Sequence, residues 1–327
     1  MSVFGRWFKK GEDKPAASPA AGAPPAGPAA AEAAATVTLS QAIEIAVGHH
    51  QSGRYREAEH VYLQVLSVDP ANFDALHLLG VVAHQQGDHQ RAIDLISKAV
   101  SVSGSNAVAY NNLGESYRAL GRNRDAEACY EKSLALGDHY AEPAYNLGNL
   151  FRGEGRLEQA RASYEQAVAA QPEFAEAHYH LGNVLKDQGE ADAAAGCYRK
   201  VLALRPGFAE CHLSLGNVLK DRGELEEAGA CYGRALALQP QFVAALVNLG
   251  NVLREQGKTA EAKAHYEKAG SLNPGFADAH VNLAHVLREL GDAEKAQSCY
   301  EKALELQPDA ADVLFGLGNA LVDQGRH

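Results

Sequence analysis

The sequence predicts an all-α solenoid of repeated helix pairs. Three observations predict it: a Leu-Gly pair that returns every 34 residues, a second glycine at one fixed place in each step, and apolar residues at helical spacing between them. The pair stands at Leu79-Gly80, Leu113-Gly114, Leu147-Gly148, Leu181-Gly182, Leu215-Gly216, Leu249-Gly250 and Leu317-Gly318, with Leu283-Ala284 as the variant. A period this strict describes stacked supersecondary units rather than one enzyme core.

Each element of the unit has a reason. With that Leu as the seventh residue, units start at Leu39, Phe73, Ala107, Ala141, Ala175, Ala209, Val243 and Ala277, and a partial ninth starts at Ala311. The first helix carries spacings such as Leu181, Val184, Leu185. Gly at position fifteen (Gly53, Gly87, Gly121 and on to Gly325) stops it, because glycine accepts the left-handed backbone at no steric cost. The second helix carries Ala194, Tyr198, Val201 and Leu202 in the same rhythm. Its Ala at position twenty recurs in all eight complete units and lets the two helices approach closely. Tyr fills position twenty-four in seven of the eight, with Ile96 the exception. Pro closes six units, from Pro70 to Pro308; it lacks an amide hydrogen and so separates one unit from the next. One pair cannot bury its own apolar face, so neighbouring pairs must stack.

These Leu-Gly, Gly, Ala, Tyr and Pro positions resemble the tetratricopeptide repeat over residues 39–327. Runs such as Leu-Gly-Asn-Val-Leu-Lys-Asp-Gln-Gly at 181–189 resemble the arrays of O-linked N-acetylglucosamine transferases and of related bacterial proteins. The resemblance implies a right-handed superhelix of eight complete units plus one terminal helix. It implies a non-catalytic scaffold or adaptor for other proteins, or an array that recruits substrates to such a transferase.

Composition narrows the partners. The formal charge is −11; residues 1–14 contribute +2 and Glu32 −1, so the array carries −12. An acidic array argues against a nucleic-acid backbone as ligand. No apolar run approaches the roughly 20 residues that span a membrane, and the first residues lack the apolar core of a secretion signal. Cys129, Cys197, Cys231 and Cys299 share position twenty-three. Equivalent positions in stacked helices lie roughly 8–10 Å apart, beyond the ~7 Å that a disulfide allows between Cα atoms. Reduced thiols and a cytoplasmic location follow.

Residues 15–36 are almost wholly Ala, Pro, Gly and Ser, the composition of a disordered linker. Ahead of it, in residues 1–14, Phe4, Trp7 and Phe8 share one face of a helical turn beside Arg6, Lys9 and Lys10. Three roles fit this segment: an interfacial anchor on an anionic membrane at its inner face, a docking peptide for a partner or for the chain's own groove, and an unstructured terminus.

In the resembled fold the first helix of each unit lines the concave side, with positions two, five, six, nine, twelve and thirteen in the groove. Position nine carries Asn149, Asn183, Asn217, Asn251 and Asn319; position six carries Asn112, Asn146, Asn248 and Asn282. Positions six and nine lie on one helix face. An asparagine offers one donor group and one acceptor, matching the backbone of an extended peptide, and inner-face asparagines hold extended polypeptide in the resembled arrays. His180 and Ser214 interrupt the ladder in units five and six. Position twelve carries Arg118, Arg152, Lys186, Lys220, Arg254 and Arg288, a stripe that would favour an acidic peptide. Position thirteen carries Asp187, Asp221, Glu255, Glu289 and Asp323, which can form lateral ion pairs with that stripe. Acidic residues at position two, such as Glu142 and Glu176, suit a helix N-terminus. Units one and two are instead apolar here, with Ile43, Val47, Leu78 and Val81, and could receive Phe4, Trp7 and Phe8.

No phosphate loop, paired-Cys metal spacing or nucleophile stands out from the repeat, so neither catalysis, a cofactor nor a metal is expected. His178, His180 and His212 cluster only loosely in sequence. Ala311–Gly325 is a first helix without its second, which anticipates an oligomer contact or a longer parent chain.

Overall fold

The computed structural model describes residues 37–137 and 141–325. The segment with Phe4, Trp7 and Phe8, and the Ala/Pro-rich stretch after it, lie outside these residues. Seventeen α-helices follow one another, with no β-strand among the described residues. They are α1 (Leu39–Gln51), α2 (Tyr55–Val68), α3 (Phe73–Gln85), α4 (His89–Val102), α5 (Ala107–Ala119), α6 (Asn123–Leu136), α7 (Ala141–Gly153), α8 (Leu157–Ala170) and α9 (Ala175–Asp187). The series continues with α10 (Ala191–Leu204), α11 (Ala209–Asp221), α12 (Leu225–Leu238), α13 (Val243–Glu255), α14 (Thr259–Leu272), α15 (Ala277–Glu289), α16 (Ala293–Leu306) and α17 (Ala311–Asp323). Odd-numbered helices are the first of each unit and even-numbered ones the second.

The expected punctuation is present. All nine position-fifteen glycines take positive φ, between 71° and 84°, where any side chain would be strained. Behind each of the first eight, the even helix packs antiparallel on its odd partner. The core is a ribbon along this seam: the position-twenty alanines and position-twenty-four tyrosines are all fully buried.

The Leu-Gly glycine has a reason that spacing did not reveal. A Cβ built at Gly114, Gly148, Gly182, Gly216 or Gly250 would stand 2.5–2.8 Å from a ring atom of the unit's own tyrosine. The glycine is the socket for that ring. Most consecutive odd helices approach one another closely, as α3 does α5 and α11 does α13, while consecutive even helices stand further apart. The stack therefore curves with the odd helices on its inner side, a right-handed superhelical solenoid.

The units are started in two ways. Thr38 forms a capping box with Gln41, and Asn72 and Asn106 cap α3 and α5 through their side chains. In α9, α11, α13 and α15 the residues Phe174, Phe208, Phe242 and Phe276 hold that position and make no side-chain cap bond. There the fixing comes from packing: Phe174 meets Tyr145 and Phe208 meets Tyr179, each at 4.9 Å between ring centres. The acidic residues at position two do lie in first turns.

Candidate functional site

The inner face separates the asparagines into two kinds. At position nine, the tyrosine hydroxyl of the same unit donates to the Asn oxygen: Tyr164 to Asn149 at 2.8 Å, Tyr198 to Asn183 at 2.8 Å, Tyr232 to Asn217 at 2.9 Å and Tyr266 to Asn251 at 2.7 Å. In unit three, Tyr130 donates to Glu115 in the same place. The glycine socket admits the ring, the ring carries the hydroxyl to position nine, and the hydroxyl fixes the amide. Asn183 and Asn251 keep their NH2 groups for another partner, on half-buried side chains. At Asn149 the Tyr145 hydroxyl is also within reach.

Position six is engaged the other way round. Asn112 Nδ2 lies 3.0 Å from His77 Nε2, Asn146 donates to Asn111 at 3.0 Å, and Asn248 donates to Asn217 at 2.8 Å. These are lateral bonds between consecutive units, and they leave the position-six oxygens as acceptors. The sequence expectation that every asparagine offers both a donor and an acceptor is therefore corrected. At Asn183, Asn217 and Asn251 position nine supplies donors, and at Asn112, Asn146 and Asn248 position six supplies acceptors, because the tyrosines and the neighbouring units take the other half. Asn146 is buried, at 5% exposure, and so contributes least to an open surface. Asn282 and Asn319 make no side-chain hydrogen bond among the described residues.

The basic stripe divides as well. Arg118 is held in a double hydrogen bond by Glu115 of its own helix, at 3.0 and 3.1 Å. Lys186 lies 3.4 Å from Asp187, and Arg288 donates to Asp323 of the next unit at 2.8 Å. Arg288–Asp323 is the lateral pairing of positions twelve and thirteen anticipated from sequence. Arg152, Lys220 and Arg254 have no carboxylate within ion-pair distance among the described residues. They are the open cations of the groove.

In place of an amide, unit five has an aromatic patch that the sequence reading passed over. The His180 ring stacks on Tyr164 at 5.8 Å and lies within 5.7 Å of the rings of Tyr145 and Tyr179. Burial, and then the charge of Arg152, hold the His180 pKa down at about 4. The signal was there as Tyr145 and Tyr179 at position five. His178 and His212 are not part of any cluster; each ring Nε2 meets the carbonyl of the preceding proline, Pro172 or Pro206, at 3.0 Å. These histidines, with His280 on Pro274, lock the turn between units.

At the start of the array the side chains are apolar or neutral. His77 is buried and its pKa falls to about 4 for that reason. His50 bonds Gln85 at 2.8 Å and His84 meets Ser116 at 3.1 Å. All five cysteines are free thiols, and burial pushes those of Cys129 and Cys197 up to about 11. No group of three or more metal-ligating side chains occurs among the described residues. Nor is any described helix long and apolar enough to cross a membrane.

Family models described as tetratricopeptide repeat match residues 38–72, 71–138, 105–173, 145–209 and 253–301, and one described as TPR repeat matches 216–254 and 284–325. The chain belongs to the tetratricopeptide repeat family. No curated protein matches its sequence at a significant level. Among solved structures it is similar to YrrB, described as a TPR protein with an unusual peptide-binding site, at 27% identity and a TM-score of 0.51; the match covers 57% of this chain and 96% of that one. It is also similar to pilF of Pseudomonas aeruginosa, at 22% identity and a TM-score of 0.55, covering 63% and 94%, a likeness of fold. MamA matches at 27% identity over 53% of this chain and 94% of its own, with a TM-score of 0.48.

Proposed function

We propose that the inner face of this tetratricopeptide array binds an extended polypeptide, and that the protein is a non-catalytic interaction scaffold. One observation carries the reading: four successive units hold the position-nine asparagine by the same tyrosine bond, so that donors recur at the cadence of the stack. Donors fixed before a ligand arrives lose little entropy on binding. An extended chain presents a carbonyl every residue and would meet them largely regardless of its sequence. The open cations Arg152, Lys220 and Arg254 add a preference for acidic side chains. The resemblance to YrrB, with its peptide-binding site, supports the same reading.

The test is a peptide array probed with the wild-type chain and with Asn183→Ala/Asn217→Ala/Asn251→Ala. Loss of about 1 kcal/mol per donor predicts a fall of about a hundredfold in affinity for the best peptides. Equal affinity in the triple variant would sink the reading. Two further measurements separate narrower roles. Transfer of captured peptide to an O-linked N-acetylglucosamine transferase-like enzyme would mark a recruiting array. Flotation on anionic vesicles that disappears when Phe4, Trp7 and Phe8 are changed to Ala would mark a peripheral membrane platform.

A further inference from the structure

Unit eight departs from the pattern at residues that meet in space. Ala284 replaces the socket glycine, His285 replaces the position-nine asparagine, and the next unit supplies Gly316 at position six, where no other unit has glycine. The Tyr300 ring lies against Gly316, where a Cβ would stand 2.6 Å from its Cε1. Its hydroxyl is buried and its proton has no acceptor; only the Arg288 side chain is within hydrogen-bond reach, whereas the Tyr266 hydroxyl has Asn251 at 2.7 Å. The His285 ring meets Tyr300 edge-on at 5.7 Å.

Beside these rings is a cavity of about 340 Å³ lined by Arg254, His285, Arg288 and Glu289. Arg254 Nη1 stands 3.5 Å from His285 Nδ1. Arg288 gives its Nε to Asp323, and its guanidinium also reaches the Tyr300 hydroxyl oxygen. When His285 Nδ1 faces a guanidinium, the ring proton sits on Nε2, a second kind of donor. Tyr300 adds a hydroxyl proton without an acceptor. Glu289 is the one acidic lining residue, and it is exposed and free to turn to solvent. The local inventory is thus rich in donors and poor in acceptors.

We infer that this cavity is an oxyanion site, taking a carboxylate or phosphate group between Arg254 and Arg288 with His285 as a neutral third donor. A planar guanidinium grips either group through two parallel hydrogen bonds, and two guanidinia supply the charge. Binding places an acceptor where the structure has none. The inference stands on Arg254 of unit seven together with unit eight, and does not require the amide ladder of units four to seven.

The test follows histidine ring-proton signals of the full chain as inorganic phosphate or acetate replaces chloride at constant ionic strength. One signal, assigned by its loss in His285→Asn, should move and saturate. Whichever anion saturates it at the lower concentration names the source of the group. Arg254→Gln should weaken the response about tenfold. Arg254→Gln keeps the His285 signal and should keep the thermal midpoint of the wild type, which separates loss of the site from loss of the fold. No saturable shift with either anion, or an unchanged response in Arg254→Gln, overturns the proposal. An intact anion response beside failed peptide capture would reject the groove reading alone, and the converse would reject this one alone.

Discussion

In unit seven, Gly250 makes room for Tyr266, whose hydroxyl reaches Asn251. In unit eight, Ala284 occupies that room, Tyr300 presses on Gly316 of the following unit, and its hydroxyl meets no amide, only the Arg288 side chain. The same contrast appears at the other end. Unit one has Ala46 and Val47 in those two places, and the Tyr62 hydroxyl is buried without a partner. The helix pair forms in every case, because Ala at position twenty and the apolar ring suffice to close it. What changes is the polar link from seam to groove. The socket glycine is thus a device of the inner face as much as of packing: it decides whether position nine is held or left to other uses.

The largest expected effect tests the socket directly. Gly216→Ala puts a methyl where a Cβ would stand 2.5 Å from Tyr232. Overpacking of this kind costs ~1–3 kcal/mol, and the linked Tyr232–Asn217–Asn248 bonds should fail with it. Urea unfolding should show the loss, with hydrogen exchange rising in units six and seven first. A midpoint equal to that of the wild type would break the comparison.

The next effect contrasts the histidine-bearing start of the array with its asparagine-bearing middle. The His77 pKa is depressed to about 4 by burial, from 6.5 in the unfolded chain. Between those values the unfolded state holds more protons, so stability is complete above about pH 6.5 and is lost as pH falls toward 4. The loss is on the order of 3 kcal/mol. Units one and two should open before units six and seven as pH falls from 7.5 to 4.5, seen by hydrogen exchange. His77→Asn should flatten that slope; an unaltered slope would show that the acid sensitivity lies elsewhere.

The smallest effect isolates the hydroxyl. Tyr198→Phe keeps the ring in its socket and removes only the donor to Asn183. It should cost ~1 kcal/mol of stability and loosen peptide binding by severalfold, measured by fluorescence anisotropy. Tyr62→Phe, whose hydroxyl bonds nothing in the structure, should cost less. Equal costs at the two positions would argue that the tyrosine bond does not orient the groove.

Much of this was legible in the sequence. The unit boundaries, both helices, the Gly stops and the buried Ala and Tyr columns follow from local rules with a strict period, because each unit is fixed by its own residues and its nearest neighbours. The columns of Asn and of Lys/Arg were legible as positions on one helix face. Their roles were not. That Asn183 gives its oxygen to Tyr198, or that Asn146 turns to Asn111 while Arg152 stays open, depends on distances across the seam and between units, which spacing along the chain does not carry. Sequence alone determined the repeat, since helix stops and helical periodicity are local. Tertiary structure decided which half of each amide faces a ligand and where Tyr300 goes, since hydrogen bonds and ring clashes are settled only when the helices are brought together.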